Sequence, residues 1–396
     1  MRYAPPVANK TLTEDRPGAI PRQAGHLDAP IAAVEGILAD FLAGRVAQFD
    51  GVDTALGSFA RGARDLVLRG GKRLRPTFAY WGWRGVVGPG EPVEPILPAL
   101  GALELMHTFA LVHDDVMDGS AIRRGGPSAH RMFAVQHAAA GRRGDPERFG
   151  ATAAILVGDL CLVWADQLLN RSSVPTPTLH AARACYDAMR IEAVSGQYLD
   201  VLGEYEPEAW SVSRALLVAQ HKTASYSVRR PLLFGRTLSG ASGSEAAQVD
   251  AAYDRYGAAV GEAFQLRDDL LGAYGDPAVT GKPAGEDLRT GKPTALLMIA
   301  VQLASPAQRA ELERDSAEAV FPADGFGGQN SRGCGVDSRV ARLAEIIAET
   351  GAPARVERLI ERRVVEGIAA LNGAPIDPQA RAALIDLAAT AAHRPA

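Results

Sequence analysis

Residues 97–118 have the sequence LPALGALELMHTFALVHDDVMD. The apolar residues of this stretch recur with helical spacing, and the acidic residues Asp114, Asp115 and Asp118 end it. Asp114 and Asp118 are four positions apart, so on a helix they share a face. Carboxylates held together beside an apolar wall repel each other unless a cation lies between them. The stretch therefore predicts a long helix whose C-terminal end binds a cation.

A second acidic pair lies far along the chain. Asp268 and Asp269 end the sequence FQLRDD at 264–269, after another apolar stretch with helical spacing. Carboxylate oxygens are the ligands that Mg²⁺ prefers, and the arginine pair Arg123-Arg124 suits phosphate. One such cluster could equally be a solvated helix end, but two clusters beside arginines favour Mg²⁺ and a phosphorylated substrate.

Cations cluster at two further places. The glycine pair Gly70-Gly71 is followed by three cations, Lys72, Arg73 and Arg75. This stretch suits a diphosphate, but it lacks the spacing of a nucleotide-binding P-loop. Residues 275–293 contain Lys282 and Lys292 among glycines and prolines. A segment of this length predicts a lid that closes over a phosphate and excludes water, although a plain surface loop has the same composition.

Composition limits the class of protein. The 396 residues carry a net charge of −4, which argues against general nucleic-acid binding. Three widely spaced cysteines suit neither a disulfide framework nor a zinc site, so a reducing, cytoplasmic compartment is expected. We find no apolar run approaching the roughly 20 residues of a membrane span, and no signal peptide.

Helical periodicity extends over most of the chain, and no alternation of strands and helices interrupts it. Candidate helices are 30–49, 97–118, 151–169, 179–202, 215–238, 246–274, 294–303, 340–350 and 352–371. The pattern predicts an all-α, single-domain helical bundle over 30–396. Residues 1–29 are expected to form a mobile N-terminal tail, 141–148 a charged loop, and 322–338 a disordered Gly- and Ser-rich insertion.

Taken together, the motifs resemble those of the trans-isoprenyl diphosphate synthases, also called polyprenyl synthetases. The matching segments are GGKRLRP at 70–76, DDVMD at 114–118 with RRG at 123–125, Lys222-Thr223, FQLRDD at 264–269, and Gly281-Lys282. They occur in the family's order and cover about residues 30–390. Gly272 departs from the family pattern, because the fuller second motif ends in an aspartate there.

The resemblance implies a fold of antiparallel helices around a deep central cavity, a homodimer, and about three Mg²⁺ ions in each active site. By the resemblance, Asp114 and Asp118, supported by Asp115, would bind Mg²⁺ on an allylic diphosphate, and Asp268, with Asp269 nearby, would hold a further ion. Contacts to the allylic diphosphate would come from Arg123, Lys222 and Lys282, and contacts to isopentenyl diphosphate from Lys72, Arg75, His107 and Arg124. Thr223 and Gln265 would face the allylic cation, while Gln197 and Asp200 would line the cavity.

The implied activity is Mg²⁺-dependent, head-to-tail condensation of isopentenyl diphosphate with dimethylallyl, geranyl or farnesyl diphosphate. Phe109 and Ala110 occupy the positions that set product length in the family, and the pattern is most like that of geranylgeranyl diphosphate synthases, which make a C20 product. Phe109 could instead be only a packing aromatic. Farnesyl or longer-chain synthases remain alternatives, and a class I terpene cyclase or a regulatory subunit are more distant ones.

Overall fold

The computed structural model describes residues 28–206, 209–275, 285–319 and 333–392. These residues are predominantly helical, as expected for the all-α class. The helices of the first part are α1 (Asp28–Asp50), α2 (Thr54–Leu68), α3 (Leu74–Val87), α4 (Leu97–Met117), α5 (Ala129–Ala139), α6 (Pro146–Leu169) and α7 (Thr176–Tyr205). A short 3₁₀ turn (Glu94–Ile96) precedes α4, and strands β1 (Ile122–Arg123) and β2 (Gly126–Pro127) form a hairpin after it.

The second part continues with α8 (Val212–Ala219), a π-helix (Gln220–Arg229), α9 (Arg230–Leu238) and α10 (Ser244–Tyr274). After it come α11 (Glu286–Arg289), α12 (Ala295–Leu303), α13 (Pro306–Ala319), α14 (Gly333–Glu349), α15 (Ala352–Ala370) and α16 (Pro378–Ala392). The π-helix interrupts what the sequence predicts as one α-helix over 215–238.

Helix α4 lies at the centre of the first of two hydrophobic cores that the described residues form. Leu100, Leu103 and Met106 on it are fully buried, and α4 packs extensively against α6. A helix that is buried on all sides is apolar around its whole circumference, which explains the near-continuous apolar run. Only its last turns, from Phe109 onward, emerge from the core, so its acidic end faces a polar space.

Helix α10 organises the second core, against the π-helix and α15. Tyr256 and Val260 of α10 are fully buried. The Tyr256 hydroxyl donates to the Leu384 carbonyl at 2.6 Å, which joins α10 to α16. Since a buried hydroxyl without a partner would be unfavourable, this bond fixes how the last helix packs. Helices α4 and α10 thus belong to separate cores, and each carries one acidic cluster near its C-terminal end.

Several predicted segments differ from the structure. Helices α2, α3, α5, α13 and α16 were not predicted, and the predicted loop 141–148 ends where α6 begins at Pro146. The predicted insertion 322–338 extends too far, because α14 already begins at Gly333. The first part of the prediction, 322–332, lies outside the described residues. The predicted tail ends before Asp28, where α1 begins, and residues 1–27 are likewise not described.

Among the described residues, two helices are long and apolar enough to cross a membrane by length and composition alone. They span Glu94–Met117 and Pro146–Leu169, and 67% and 44% of their apolar windows are buried within the protein. Core helices of soluble proteins pass the same test, so these two helices are weak evidence for a membrane span. The first contains α4, whose burial in the first core accounts for its composition.

Candidate active site

Three carboxylates and two lysines form a compact cluster at the end of α4. The Lys222 Nζ atom lies 3.0 Å from Asp114 Oδ1 and 2.5 Å from Asp200 Oδ2. Lys292 Nζ lies 3.3 Å from Asp118 Oδ2 and 2.8 Å from Asp200 Oδ2. The two ammonium groups therefore stand between carboxylates from α4 and α7, where the sequence predicts a cation. Asp200 is the shared acceptor of both lysines.

The charges in this cluster strongly influence one another. Burial opposes ionisation of Asp114, but the ammonium groups of Lys222 and Lys292 outweigh it and hold the pKa of Asp114 below its ordinary value. Burial and the neighbouring Asp114 charge raise the pKa of Asp118. Burial also disfavours charge on Lys292, yet Asp200 and Asp118 raise its pKa well above the ordinary value. The pKa of Lys222 is raised as well, so both lysines stay charged and offset much of the negative charge of the three acids.

The π-helix and a glycine bring Lys222 into the cluster. A Cβ atom at Gly196 of α7 would lie 2.2 Å from the Lys222 backbone nitrogen. Only glycine permits this approach, which brings the π-helix against α7 one turn before Asp200. A π-helical turn widens the backbone locally and is often found at functional sites. Thr223 follows Lys222 in the same π-helix and is half-buried.

The arginines after α4 are positioned by the β1–β2 hairpin. Its turn residues Arg124 and Gly125 have φ of +53° and +70°, as the tight hairpin turn requires. Arg123 Nε donates to Asp115 Oδ1 at 2.8 Å, and its Nη2 lies 3.4 Å from Asp114 Oδ2. The buried Asp115 therefore orients Arg123 toward the acidic cluster. Its support of a metal ion stays a prediction.

The second acidic pair is divided between two environments. Gln265 Nε2 donates to Asp269 Oδ1 at 2.8 Å, and the Ala295 backbone N–H donates to Asp269 Oδ2 at 3.1 Å. Burial, together with the charges of Asp287 and Asp268, raises the pKa of Asp269 to about 8 against the opposing Gln265 bond. Asp269 thus connects α10 to the start of α12. The half-buried Asp268 is the better placed of the two for a metal, and both metal roles stay predictions.

Residues 285–294 connect the two acidic clusters. Lys292 reaches Asp118 and Asp200, as described above, while Ser120 Oγ donates to Glu286 Oε1 at 3.0 Å. The Gly285 N–H donates to the Gly272 carbonyl at 3.0 Å, which ties the same segment to α10. Lys282 lies outside the described residues, so the predicted lid is described only in this second half.

A cationic patch lies next to the acidic cluster, deeper along α4. Arg75 Nη2 donates to the Tyr226 hydroxyl at 2.6 Å, and the Arg75 guanidinium also lies 4.2 Å from the centroid of that ring. His107 Nδ1 lies 3.0 Å from the same hydroxyl. Burial, with the charges of Arg75 and Arg124, lowers the pKa of His107 well below its ordinary value. The patch therefore combines a neutral imidazole with several fixed positive charges.

The remaining predicted residues fall around these two centres. Arg124 donates to the Gly70 carbonyl, which brings the hairpin to the glycine pair, and Lys72 is exposed nearby. Gln197 Nε2 lies 3.5 Å from Met117 Sδ. Arg73, which the sequence groups with these cations, is instead buried against Glu104 at 2.6 Å. Its ion pair joins the 70–76 segment to α4, and its buried side chain does not face a ligand.

The two predicted chain-length positions lie on the last turns of α4. Both Phe109 and Ala110 are half-buried. The Phe109 ring contacts the His113 ring edge to face, with 4.8 Å between centroids. His113 in turn bonds the Ile155 carbonyl of α6 at 2.9 Å, so Phe109 lies toward α6. The effect of Phe109 and Ala110 on product length stays a prediction.

Sequence reasoning did not identify Tyr226 as a site residue. It lies three positions after Thr223 within the π-helix, and no motif letter distinguishes it from a core tyrosine. Only the tertiary contact shows that its hydroxyl joins Arg75 to His107. Asp200 was predicted as a cavity residue, but its pairing with both lysines was not.

The acidic cluster suits Mg²⁺ bound together with a diphosphate. Within the described residues no three acidic, histidine or cysteine side chains converge tightly enough to hold a metal ion unaided. Mg²⁺ is commonly bound by only one or two carboxylates, with the remaining ligands supplied by water and substrate phosphates. Asp114 and Asp118 offer such oxygens, which the lysines now contact. The donor set therefore fits Mg²⁺ that arrives with its substrate.

Known proteins support this description. The chain is 32% identical over 298 residues to a geranylgeranyl diphosphate synthase of Mycobacterium tuberculosis, covering 74% of this chain and 72% of that one. It is 34% identical over 244 residues to a geranylfarnesyl diphosphate synthase of Aeropyrum pernix, covering 60% and 69%. A crystal structure of geranylgeranyl pyrophosphate synthase from Corynebacterium glutamicum, complexed with isoprenyl diphosphate and magnesium, matches with a TM-score of 0.83 at 36% identity, covering 93% of this chain and 99% of that one.

The family model for polyprenyl synthetase matches residues 58–319. That interval includes both acidic clusters, the cationic patch and the π-helix. The resemblance inferred from the motifs and the all-α expectation are both confirmed. This chain is a prenyltransferase that belongs to the polyprenyl synthetase family.

Proposed function

We propose that this protein condenses isopentenyl diphosphate with allylic diphosphates head-to-tail in a Mg²⁺-dependent reaction, mainly to all-trans geranylgeranyl diphosphate. The observation that carries the proposal is the presence of two different polar sites on one face of α4. Asp114 belongs to the acidic cluster and His107 to the cationic patch, seven residues earlier. Seven residues are two helical turns, or about 10 Å, which is enough to keep two diphosphates apart.

The two sites have complementary chemistry. The acidic cluster would take the allylic diphosphate together with Mg²⁺, which when bound would neutralise charge on the departing diphosphate. Arg123, Lys222 and Lys292 would contact its oxygens as charge develops there. The cationic patch, with Arg75, Arg124 and Lys72, would hold isopentenyl diphosphate without a metal. Because each diphosphate has its own site, the two substrates would be held side by side.

The bond-forming step needs no protein base at the cationic patch. After the allylic carbon–oxygen bond breaks, the double bond of isopentenyl diphosphate attacks the allylic cation, and a proton leaves toward the released diphosphate. Thr223 and Gln265 would face the cation. Segment 285–294 would help to exclude water, which would otherwise trap the cation as an alcohol.

The cytoplasmic location expected from the cysteine content stays a prediction.

Product length rests on Phe109 and Ala110. Ala110 is small and one turn before Asp114, so it leaves room for a growing chain, and Phe109 would limit deeper growth. A farnesyl or a longer-chain product is the alternative, because the similar synthases named above make different products. The contact between Phe109 and His113 is compatible with the further alternative that Phe109 only packs.

We also propose a homodimer. Ile191, Val194 and Tyr198 form one face of α7, and their exposed fractions are 67%, 56% and 66%. Ile155, Leu156 and Val163 of α6 are also exposed. Apolar side chains at such density on neighbouring helices are typical of a buried interface. A single protomer mass by light scattering at micromolar concentration would contradict the dimer.

The function is tested with the purified chain alone. It is incubated with radiolabelled isopentenyl diphosphate and each allylic primer, with Mg²⁺ or with EDTA, and the products are separated by chain length. We expect Mg²⁺-dependent incorporation, mainly into a C20 product. A class I cyclase would not consume isopentenyl diphosphate, and a regulatory subunit would not elongate by itself, so either outcome would refute the proposal.

A further inference from the structure

Arg73 is a buried cation within the segment that contributes to the proposed isopentenyl diphosphate site. It lies between Lys72 and Arg75 in sequence, but it is only 2% exposed. Its Nη1 atom donates to Glu104 Oε2 at 2.6 Å, and its Nη2 atom donates to the Val67 carbonyl at 3.2 Å. Glu104 of α4 is itself 1% exposed. The guanidinium is thus committed to a buried carboxylate and to a backbone carbonyl.

This ion pair is costly if it serves stability alone. Two charges lose their hydration on burial, and apolar side chains of similar volume often replace such a pair without loss of stability. Among the described residues Glu104 Oε1 has no hydrogen-bond partner, so one oxygen of the carboxylate stays unsatisfied. Arg73 also has φ of +45°, in the left-handed region that residues other than glycine adopt at a cost. A role beyond stability would account for both features.

The pair connects two helices that contribute to the site. Arg73 immediately precedes α3, whose second residue is Arg75. The Thr77 hydroxyl donates to the Arg73 carbonyl at 2.8 Å, which ties Arg73 to the first turn of that helix. Glu104 lies three positions before His107, on the same face of α4. The contact between Arg73 and Glu104 therefore fixes the start of α3, with Arg75, against the part of α4 that carries His107.

The two charges also act on other groups of the cationic patch. Burial lowers the pKa of His107, and the charge of Arg73 is among those that lower it further. Burial lowers the pKa of Arg124 as well, while the Glu104 charge raises it and the Arg73 charge lowers it. Glu104 is therefore a negative charge close to the groups that would bind a diphosphate. Arg73 offsets this charge, which would otherwise repel the substrate.

We infer that the Arg73–Glu104 pair positions the isopentenyl diphosphate site without touching the substrate. It holds Lys72 and Arg75 at the distance from His107 that a diphosphate requires, and it offsets the charge of the nearby carboxylate. Both members are thus positioning residues, and their loss should weaken the binding of one substrate and spare the other. The inference rests on the proposed function, which assigns the cationic patch to isopentenyl diphosphate.

The test measures the two substrate sites separately and without turnover. Calorimetry titrates isopentenyl diphosphate into the full-length protein in EDTA, and a second titration with Mg²⁺ uses a non-reactive thiolo analogue of geranyl diphosphate. The double variant Arg73→Met with Glu104→Leu removes both charges and should fold, because apolar side chains often replace a buried ion pair. Its Kd for isopentenyl diphosphate should rise about tenfold, the effect of displacing one charged contact, while its Kd for the analogue stays within about twofold.

Two single variants separate the role of position from the role of charge. Arg73→Met alone leaves the Glu104 carboxylate uncompensated, so its Kd for isopentenyl diphosphate should rise about tenfold more than that of the double variant. Arg73→Lys keeps the charge but loses the forked contacts, and should raise the same Kd about threefold. If removal of both charges prevents folding, Arg73→Lys decides the question.

The matched control breaks a different ion pair. Arg236 Nη2 lies 2.5 Å from Asp250 Oδ2, where it joins α9 to α10. Arg236→Met with Asp250→Leu should lower the melting temperature and leave both Kd values unchanged. An unchanged Kd for isopentenyl diphosphate in the folded Arg73 variants, or an equal rise for both ligands, would overturn the inference. Failure of wild type to elongate any primer would instead refute the proposed function, whatever the Arg73 variants bind.

Discussion

The Nζ atom of Lys222 lies 3.0 Å from Asp114 Oδ1, so a lysine ammonium contacts a carboxylate that the family resemblance assigns to metal binding. The same lysine contacts Asp200, and Lys292 makes the corresponding pair with Asp118 and Asp200. Asp114 and Asp118 would hold Mg²⁺, which when bound would neutralise charge on a diphosphate. Asp200 contacts both lysines and so holds their charges beside the same carboxylates.

The first prediction concerns the two acidic clusters. Asp114→Ala and Asp268→Ala should each lower kcat by about a thousandfold or more, because each removes charge that positions and neutralises the departing diphosphate. Turnover is measured at saturating Mg²⁺ with both substrates, and circular dichroism confirms the fold. Near-normal kcat in either variant would show that the site is assigned wrongly.

The second prediction concerns the Tyr226 hydroxyl. Tyr226→Phe should raise KM for isopentenyl diphosphate about tenfold and leave KM for the allylic primer nearly unchanged, because Arg75 and His107 lose a shared buried partner. Tyr253→Phe is the control, since within the described residues that hydroxyl makes no hydrogen bond. Equal increases in both KM values would contradict the assignment of Tyr226 to the isopentenyl diphosphate site.

The third prediction concerns the approach of α7 to the π-helix. Gly196→Ala places a methyl group 2.2 Å from the Lys222 nitrogen, and backbone cannot yield as a flexible side chain would. The variant should lose about 1–3 kcal/mol of unfolding free energy, together with most activity. Gly44→Ala in α1, where nothing lies within 4 Å, should be neutral or stabilising by up to about 1 kcal/mol. Urea denaturation compares the two, and equal stabilities would exclude the close approach.

The fourth prediction concerns pH. Burial and the neighbouring arginines lower the pKa of His107 in the folded state, so the unfolded chain binds its proton more readily. The stability contributed by neutral His107 is fully present above pH of about 6.5 and is lost as the pH falls toward the lower folded value. His107→Gln should therefore lose less melting temperature than wild type between pH 7.5 and pH 5.5, whereas the exposed His180→Gln should follow wild type. Identical losses in all three proteins would argue against a buried neutral imidazole.

The fifth prediction concerns chain length. Ala110→Phe should shorten the product toward C15, because an aromatic ring one turn before Asp114 blocks the growing chain. Phe109→Ala should lengthen it beyond C20. Chromatography of the dephosphorylated products measures both. If neither variant changes the product distribution, other residues limit the growth of the prenyl chain. A wild-type product of C30 or longer would exclude the C20 assignment.

The acidic motif at the end of α4 could be predicted from sequence because helical spacing alone puts Asp114 and Asp118 on one face. The helix boundaries of α4 and α10 also followed from their apolar period. The π-helix at Gln220–Arg229 could not, since its ten residues have the composition of an ordinary helix. Helices such as α13 were missed because their apolar period is weak and they are stabilised by neighbours.

The sequence by itself determined the helical class, the family, and the residue types that bind metal and phosphate, because these depend on local spacing and on the chemistry of single side chains. Tertiary structure alone decided which of those residues meet. It placed Tyr226 between Arg75 and His107, and Asp200 between two lysines. It also paired the buried Arg73 with Glu104 of α4, since only the packing of distant segments fixes which buried charges meet.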